Sequence, residues 1–233
     1  ADFNHPLLKR LVFEAPGTYH HSLMVGNLAE VASEAVGANA LLARVGAYYH
    51  DIGKLEKPEY FSENQDKNMS KHDTLSASMS KLVIMEHVKA GVELAKKNHL
   101  NSTIMAFIRQ HHGTSLVYYF YRRALESGEN EGDLNEEVFR YPGPKPETKE
   151  TAIVLLADSV EAACRTLDEP TAERIADMVH RVINNKFIDG QLDACDLTLR
   201  DLEKIATIFI HILGAFYHSR IDYSDQGETT KKP

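Results

Sequence analysis

Apolar residues recur every three or four positions along almost the whole chain of 233 residues. This spacing places them on one face of an α-helix, whereas a β-strand requires alternation. Over residues 19–36, for example, one apolar stripe leads to Gly37, which is a natural helix stop. The pattern therefore predicts an all-α fold. We find no internal repeat and no shift in composition, so we expect one domain over residues 1–223 and a polar, disordered tail over 224–233.

Capping residues and prolines mark the boundaries of the other helices. Asparagine caps predict helices over 39–53 and 101–113. Thr198 and Asp201 have the spacing of a capping box, which predicts that the last helix begins there. The prolines of 141–146 (YPGPKP) predict a rigid connector that is not helical. The remaining expectations are helices over 74–98, 116–125, 147–167 and 171–187, and polar loops over 56–71 and 127–137.

Composition excludes several classes of protein. The chain has 34 acidic and 26 basic side chains and a net charge of −8, which argues against binding to DNA, RNA or anionic lipid through a broad basic surface. No segment reaches the roughly 20 apolar residues that cross a bilayer, and the first residues lack a signal-peptide pattern. Cys164 and Cys195 are too few for a disulfide framework or a thiolate zinc site. We therefore expect a soluble, cytoplasmic chain with free thiols.

Two His-Asp pairs occur among the 12 histidines of the chain, and their surroundings differ. A single pair carries little weight, because about one is expected by chance. His50 and Asp51 end an apolar helix, where an inward imidazole and carboxylate need partners. His72 and Asp73 lie in a polar, lysine-flanked stretch, where we expect a solvated pair or the start of a helix. Only the first pair is therefore a candidate site.

Two His-His pairs also occur at helix ends. His111 and His112 follow an apolar helix just before a glycine, so both rings can turn towards one centre. His21 shares a helical face with apolar residues, which directs it towards the core. We expect His20 to face solvent or to support a neighbouring ligand.

Two further polar residues lie on apolar helices. Asp158 interrupts IVLLADSVEAA, and a buried carboxylate there requires a cation or strong donors. His87 follows LVIME on a long amphipathic helix. Each has an ordinary alternative, because His87 can bond to a backbone carbonyl in the core and Asp158 can pair with Arg165. The site prediction depends on the combination of these residues, which is spread over five helices and must converge in a bundle core.

The order of these residues resembles that of the HD superfamily of metal-dependent phosphohydrolases. More narrowly, AYYHDIGKLEKPEYFSENQ, QHHGTSLVYYFY, RYPGPKPETKE and LADSVEAA look like the cytoplasmic domain of seven-transmembrane HD phosphodiesterases of the PgpH type. The similarity covers nearly the whole chain, although the acidic loop and the tail match loosely and NMSKHD departs from the expected Asn-Pro-His-Asp. The resemblance implies an HD-domain helical bundle with a metal site in its core.

The resemblance also implies two divalent metal ions. A minimal HD enzyme binds one ion through two histidines and two aspartates, and the three additional histidines imply a second ion. Asp51 has two carboxylate oxygens and is the natural bridge between them. A ligand set without thiolate suits iron or manganese, the metals that the resemblance implies. The expected ligands are His21, His50, Asp51 and Asp158 for one ion and Asp51, His87, His111 and His112 for the other.

Such a site is suited to hydrolysis of a phosphodiester. Two divalent ions and two aspartates leave a charge of about +2, which attracts phosphate. A water bridging the ions would be acidified towards hydroxide and would be the nucleophile, with Asp51 as the catalytic bridging ligand. Lys54, three residues after Asp51, is the candidate cation for the phosphate or the leaving oxygen. The alternative for Lys54 is an exposed side chain after a helix stop.

Candidate substrate contacts follow the His-His pair. The aromatic run from Tyr118 to Tyr121 can stack on a base, although an aromatic run at helical spacing more often packs in a core. Thr114 and Arg122 are further candidates. The expected substrate-binding residues are Lys54, Thr114, Tyr118 and Arg122.

The resemblance implies an enzyme that hydrolyses cyclic di-AMP to linear pApA. It further implies that the chain acts at the cytoplasmic face of the cell membrane, tethered to transmembrane parts that it lacks. One alternative is a mononuclear HD hydrolase of an alarmone or dNTP, against which the three extra histidines argue. Another is a nucleotide-sensing module that binds without turnover.

Overall fold

The structure, a computed structural model, describes residues 4–65, 70–127 and 135–221. Within these ranges the chain forms nine α-helices and no β-strand, which confirms the predicted all-α fold. The predicted tail over 224–233 lies outside the described residues. The helices are α1 Pro6–Glu14, α2 Pro16–Ala35, α3 Ala40–Tyr49, α4 Ala77–Lys97, α5 Ser102–Gln110, α6 Tyr118–Ser127, α7 Lys149–Cys164, α8 Ala172–Ile188 and α9 Leu199–Ile221.

The predicted helix caps are present. Asn39 and Asn101 each accept a hydrogen bond from the backbone amide three residues further on, at the starts of α3 and α5. Thr198 and Asp201 exchange two hydrogen bonds of 3.1 Å between side chain and backbone, which makes the capping box of α9. Gly113 has a φ of +54°, the left-handed conformation that lets the chain turn directly after the His-His pair.

Three segments differ from the prediction. The sequence pattern assigns no helix to α1, yet the His5 side chain caps it and Pro6 is its first residue. The helix predicted over 39–53 ends at Tyr49, because Asp51 leaves the α-helical region with φ −108° and ψ 15°. A 3₁₀ helix, Ile52–Glu56, follows. The predicted loop over 56–71 contains short 3₁₀ turns at Pro58–Tyr60 and Ser62–Asn64.

Two apolar clusters form most of the core. The larger joins α2, α3, α5, α7, α8 and α9, and the smaller joins α1, α3, α4 and α5. α7 lies at the centre of the larger cluster, since the side chains from Ala152 to Ala157 are all fully buried. Asp158 directly follows this run. None of the helices in the described part of the chain combines the length and hydrophobicity needed to cross a membrane.

Gly53 permits close contact between Ile52–Glu56 and α4. A Cβ atom at this position would lie 1.8 Å from the carbonyl oxygen of His87 and 2.5 Å from the amide nitrogen of Gly91. No side chain fits in this space, so the backbone of the 3₁₀ helix lies directly against α4. The contact fixes the position of Asp51, two residues earlier, relative to His87.

Gly53→Ala is therefore expected to lower the unfolding temperature by roughly 2–12 °C. Overpacking costs about 1–3 kcal/mol, and 1 kcal/mol corresponds to about 2–4 °C in a chain of this size. Thermal unfolding followed by circular dichroism measures the change. Gly214→Ala is the control, because an added Cβ there has no atom within 4 Å and alanine favours a helix. Equal unfolding temperatures for the two variants would contradict the close contact at Gly53.

Candidate metal centre

The structure brings all seven expected metal ligands together in the core. They come from five helices, α2, α3, α4, α5 and α7, or from the residues directly after them. Six of the seven are buried, and the His112 side chain is 22% exposed. The ligands form two groups, in each of which the candidate ligand atoms lie within 4.8 Å of one another. The groups are His21, His50, Asp51 and Asp158, and Asp51, His87, His111 and His112.

Asp51 belongs to both groups through different oxygens. Its Oδ1 lies 3.4 Å from His87 Nε2 and 3.5 Å from His111 Nε2. Its Oδ2 lies 3.3 Å from His50 Nε2 and 3.7 Å from His21 Nε2. Each carboxylate oxygen therefore faces the imidazoles of one group, so the carboxylate lies between the two groups.

Several polar atoms at this centre lack hydrogen-bond partners. His50 Nε2 and both oxygens of Asp51 are buried, and no described residue forms a hydrogen bond of good geometry with them. Lys54 Nζ lies 2.7 Å from Asp51 Oδ2 as an ion pair, but Oδ1 has no such cation. Buried polar atoms without partners are costly, and a bound cation would satisfy them. The imidazole and carboxylate donors therefore fit a divalent metal ion.

Three of the histidines are oriented in the same way. His50, His87 and His111 each donate Nδ1–H to the backbone carbonyl three residues earlier. A carbonyl can only accept, so Nδ1 carries a proton and Nε2 is the nitrogen left to face a metal ion. In each case Nε2 is the atom that faces Asp51. Such hydrogen bonds fix the tautomer and ring orientation of metal-binding histidines.

His21 is oriented by a carboxylate that the sequence analysis did not identify. Its Nδ1 donates to Glu161 Oε2, while Nε2 lies 2.9 Å from Asp158 Oδ1. Arg165 pairs with Glu161 at 3.6 Å, so the proposed alternative of an Asp158–Arg165 pair is wrong. Glu161 follows Asp158 by three residues and therefore shares its helix face. The three-residue spacing from Asp158 is thus the feature of the sequence that indicates Glu161 as a residue of the site.

Glu161→Gln is expected to weaken metal binding about 10- to 100-fold, the usual effect of removing a carboxylate that orients a histidine ligand. The amide keeps the shape of the side chain but removes its charge. Competitive titration with a chelator of known affinity measures the change. Glu169→Gln is the control, because Glu169 also pairs with an arginine but lies on the exposed surface. Parental affinity in Glu161→Gln would contradict the orienting role.

The electrostatics of the centre hold Asp51 and His87 in metal-binding forms and favour a proton on His50. Burial raises the pKa of Asp51, but the charges of Lys54 and His50 outweigh it and hold the pKa well below its usual value. Burial lowers the pKa of His50, but Asp51 and Asp158 outweigh it and raise the pKa to about 10, so a metal ion would displace the Nε2 proton of this ring on binding. Burial lowers the pKa of His87 to about 4. At neutral pH Asp51 is therefore an anion and His87 a neutral imidazole.

Lys54 lies inside the centre. Its side chain is only 12% exposed, and its Nζ lies 2.7 Å from both Asp51 Oδ2 and Glu63 Oε1. The ammonium also lies 4.9 Å from the centre of the Phe61 ring. The alternative of an exposed lysine is therefore wrong. Glu63, which also accepts a hydrogen bond from Thr18 Oγ1, was not predicted, because it lies in a segment without a helical pattern.

The aromatic run divides between the surface and the core. Tyr118 and Tyr119 are 64% and 68% exposed, whereas Phe120 is buried and Tyr121 packs against the small cluster of α4 and α6. Of the four aromatic rings, only those of Tyr118 and Tyr119 are therefore exposed enough to stack on a base. Arg122 forms an exposed ion pair within α6.

Two other residues have roles in holding the fold. The amide of Thr114 donates to Gln191 Oε1 at 2.8 Å, next to the turn that carries His112. His72 is buried, and its Nε2 lies 2.8 Å from the Tyr60 carbonyl, so the expectation of a solvated pair is wrong for this ring. His20 is exposed, as expected.

The fold and the centre define a class of protein, a helical-bundle metalloprotein with a histidine and aspartate site. A family model described as HD domain matches residues 18–163. The chain belongs to the HD domain family. The predicted resemblance to the PgpH type is also confirmed. The chain is 50% identical over 229 residues to "Cyclic-di-AMP phosphodiesterase PgpH" of Bacillus subtilis (strain 168). The matched region covers 98% of this chain and 31% of that protein.

Other relatives agree. The PgpH of Listeria monocytogenes serotype 1/2a (strain 10403S) is 47% identical over 97% of this chain and 31% of its own length. The crystal structure of the L. monocytogenes PgpH HD domain in complex with cyclic-di-AMP is 46% identical, with a TM-score of 0.88. That match covers 93% of this chain and all of the solved chain. This chain thus spans about a third of the length of the curated relatives.

Proposed function

We propose that this domain is a metal-dependent phosphodiesterase that hydrolyses cyclic di-AMP to linear pApA. The observation that carries the proposal is the shared Asp51, whose two oxygens face two separate groups of imidazoles. The substrate is supported by the names of the PgpH relatives and by the related HD domain solved with cyclic-di-AMP. The donor set and the named relatives therefore favour the same chemistry.

Two divalent ions, iron or manganese, would be held by the two groups that share Asp51. When bound, such ions stabilise negative charge on a phosphodiester and activate water as the nucleophile. The residues of the chain prepare the centre for that chemistry, since hydrogen bonds from Nδ1 fix the imidazoles and burial excludes bulk water. Three charged side chains beside the ligands change the charge of the centre. Glu161 and Glu63 each add a negative charge and Lys54 adds a positive one, so the centre is less positive by one charge than two ions and two aspartates alone would make it.

Lys54 is the residue of the chain best placed to contact the phosphate. Its ammonium lies within the centre and shares its charge between Asp51 and Glu63. An ammonium has three donors, so a phosphate oxygen or the leaving oxygen can become a further partner. Burial lowers the pKa of Lys54, but Asp51 and Glu63 outweigh it and raise the pKa above its usual value. The side chain therefore stays a cation at neutral pH.

The domain would act as part of a longer protein. We propose that residues 1–223 form a single HD phosphodiesterase domain and that it is tethered at the cytoplasmic face of the cell membrane. The resemblance to the cytoplasmic domain of PgpH-type proteins supports this placement, as does the limited share of the relatives that the chain spans.

Product analysis tests the function. The chain is loaded with manganese or, without oxygen, with iron(II), and is incubated with cyclic di-AMP, cyclic di-GMP or linear pApA. Mass spectrometry is expected to show pApA formed from cyclic di-AMP, and excess chelator is expected to abolish the product. Elemental analysis of the same samples gives the ratio of metal to protein.

The outcomes separate the alternatives. A ratio near one with full activity would favour a mononuclear enzyme, and a parallel arm with dNTP and alarmone would test its substrates. Binding of cyclic di-AMP without product in the metal-loaded sample would favour a sensing module. A ratio near two with pApA as product is the result that the proposal requires.

A further inference from the structure

Lys186, on the last turn of α8, is a half-buried cation without an acidic partner. Its Nζ donates a hydrogen bond to Ser115 Oγ at 2.7 Å. No carboxylate oxygen of the described residues lies within ion-pair distance of it, in contrast to Lys54. Burial lowers the pKa of the Lys186 ammonium, because removing a charge from water is unfavourable. One hydrogen bond uses only one of its three donors.

Lys186 lines a surface pocket of about 360 Å³. Arg140 and Asp189 also line it, but they pair with each other at 2.8 Å, and Arg140 pairs with Glu136 as well. Arg140 is therefore already engaged by two carboxylates, and Lys186 is the cation among the lining residues that has no carboxylate within ion-pair distance. Its other polar and aromatic walls include Ser115, Tyr118, Ser159 and Asn185.

The pocket adjoins the metal centre. The amide of Ser115 donates to the His112 carbonyl at 3.0 Å, and Ser159 is the residue after Asp158. Among the seven candidate ligands, the His112 side chain is the most exposed. The centre is therefore most open on the side of His112. The negative charges of Asp158 and Asp189 act to raise the pKa of Lys186, but burial outweighs them.

We propose that Lys186, with Ser115 and Tyr118, binds the second phosphodiester of a cyclic dinucleotide while the first lies at the metal centre. The inference rests on the proposed function. A cyclic dinucleotide carries two anionic diesters held apart by its ring. A site that binds both diesters therefore needs a cation near the metal centre in addition to the centre itself. An unpaired ammonium and a hydroxyl are suitable phosphate ligands, and the exposed Tyr118 ring offers a face for the adjoining base.

Lys186→Met is expected to raise KM for cyclic di-AMP by about tenfold or more, with a smaller effect on kcat. Hydrolysis of bis(p-nitrophenyl) phosphate, which has one diester, is expected to stay unchanged. Lys186→Arg keeps the charge and should retain most of the affinity. The unfolding temperature of Lys186→Met should equal or exceed that of the parent, because an unpaired half-buried charge is costly. Lys186→Gln gives the same comparison should the methionine variant fold poorly.

Lys81→Met is the matched control. Lys81 is a buried lysine whose Nζ, like that of Lys186, bonds to a neutral oxygen, the Val138 carbonyl, but it lines a different groove, on α4. Its KM for cyclic di-AMP should stay at the parental value. Equal losses on both substrates in Lys186→Met, or an unchanged KM, would overturn the role of Lys186 while the proposed function stands. A parent that hydrolyses only the simple diester would overturn the proposed function and this inference with it.

Discussion

Asp51→Asn is expected to abolish the binding of both metal ions and to lower hydrolysis of cyclic di-AMP by at least about 1,000-fold. Asp51 is the residue common to the two ligand groups, and its two oxygens face opposite sets of imidazoles. An amide has nearly the same shape, but it is neutral and offers one oxygen instead of two. Elemental analysis of the purified variant and product quantification measure the two losses.

The chain contains a matched control for this substitution. Asp73 forms the second His-Asp pair, yet it is exposed and lies outside both ligand groups. Asp73→Asn should keep the parental metal content and activity. Full activity in Asp51→Asn, or an equal loss in both variants, would contradict a metal centre built on Asp51.

His87→Ala is expected to lower the metal content from two ions to about one and to reduce activity at least 100-fold. His87 belongs only to the second ligand group, so the first group keeps all four of its ligands. Metal content and turnover are measured on the same preparation. Because a mononuclear enzyme would keep its metal and its activity, this variant separates the two mechanisms.

His72→Ala controls for the loss of a buried imidazole. Both rings are buried, and each has one nitrogen bonded to a backbone carbonyl. Their unfolding temperatures should fall to a similar extent, while only His87→Ala loses metal. Two ions retained in His87→Ala would rule out the assignment of His87 to the second group.

The sequence predicts much of the centre because each expected ligand interrupts or ends an apolar helix. Helical periodicity alone can place two of them in a core. Asp158 follows a buried run, and His111 comes shortly before a glycine that ends the helix. The surrounding residues are harder to predict. Glu63 reaches Lys54 from a 3₁₀ turn whose path depends on tertiary contacts. Lys186 has the pattern of a surface residue, and only the packing of α8 near Ser115 reveals its burial.

The ends of the helices, like the residues around the ligands, can be predicted only where the signal is local in sequence. Asparagine and threonine caps are local signals, so the starts of α3, α5 and α9 are predicted within one residue. The end of α3 is not, because the change to 3₁₀ geometry depends on the close contact of Gly53 with α4. That contact joins residues far apart in sequence.

The hydrogen bonds from Nδ1 of His50 and His111 have a further consequence. Their acceptors lie in the last turns of α3 and α5, where backbone carbonyls have no partner within the helix. One bond therefore both completes the helix end and aims a ligand. Adding or deleting one residue in either helix would turn the ring by about 100° and leave the carbonyl unpaired. The lengths of α3 and α5 thus set the geometry of the candidate metal centre, and homologous sequences with the same histidines are expected to vary in loop length but not in these two helices.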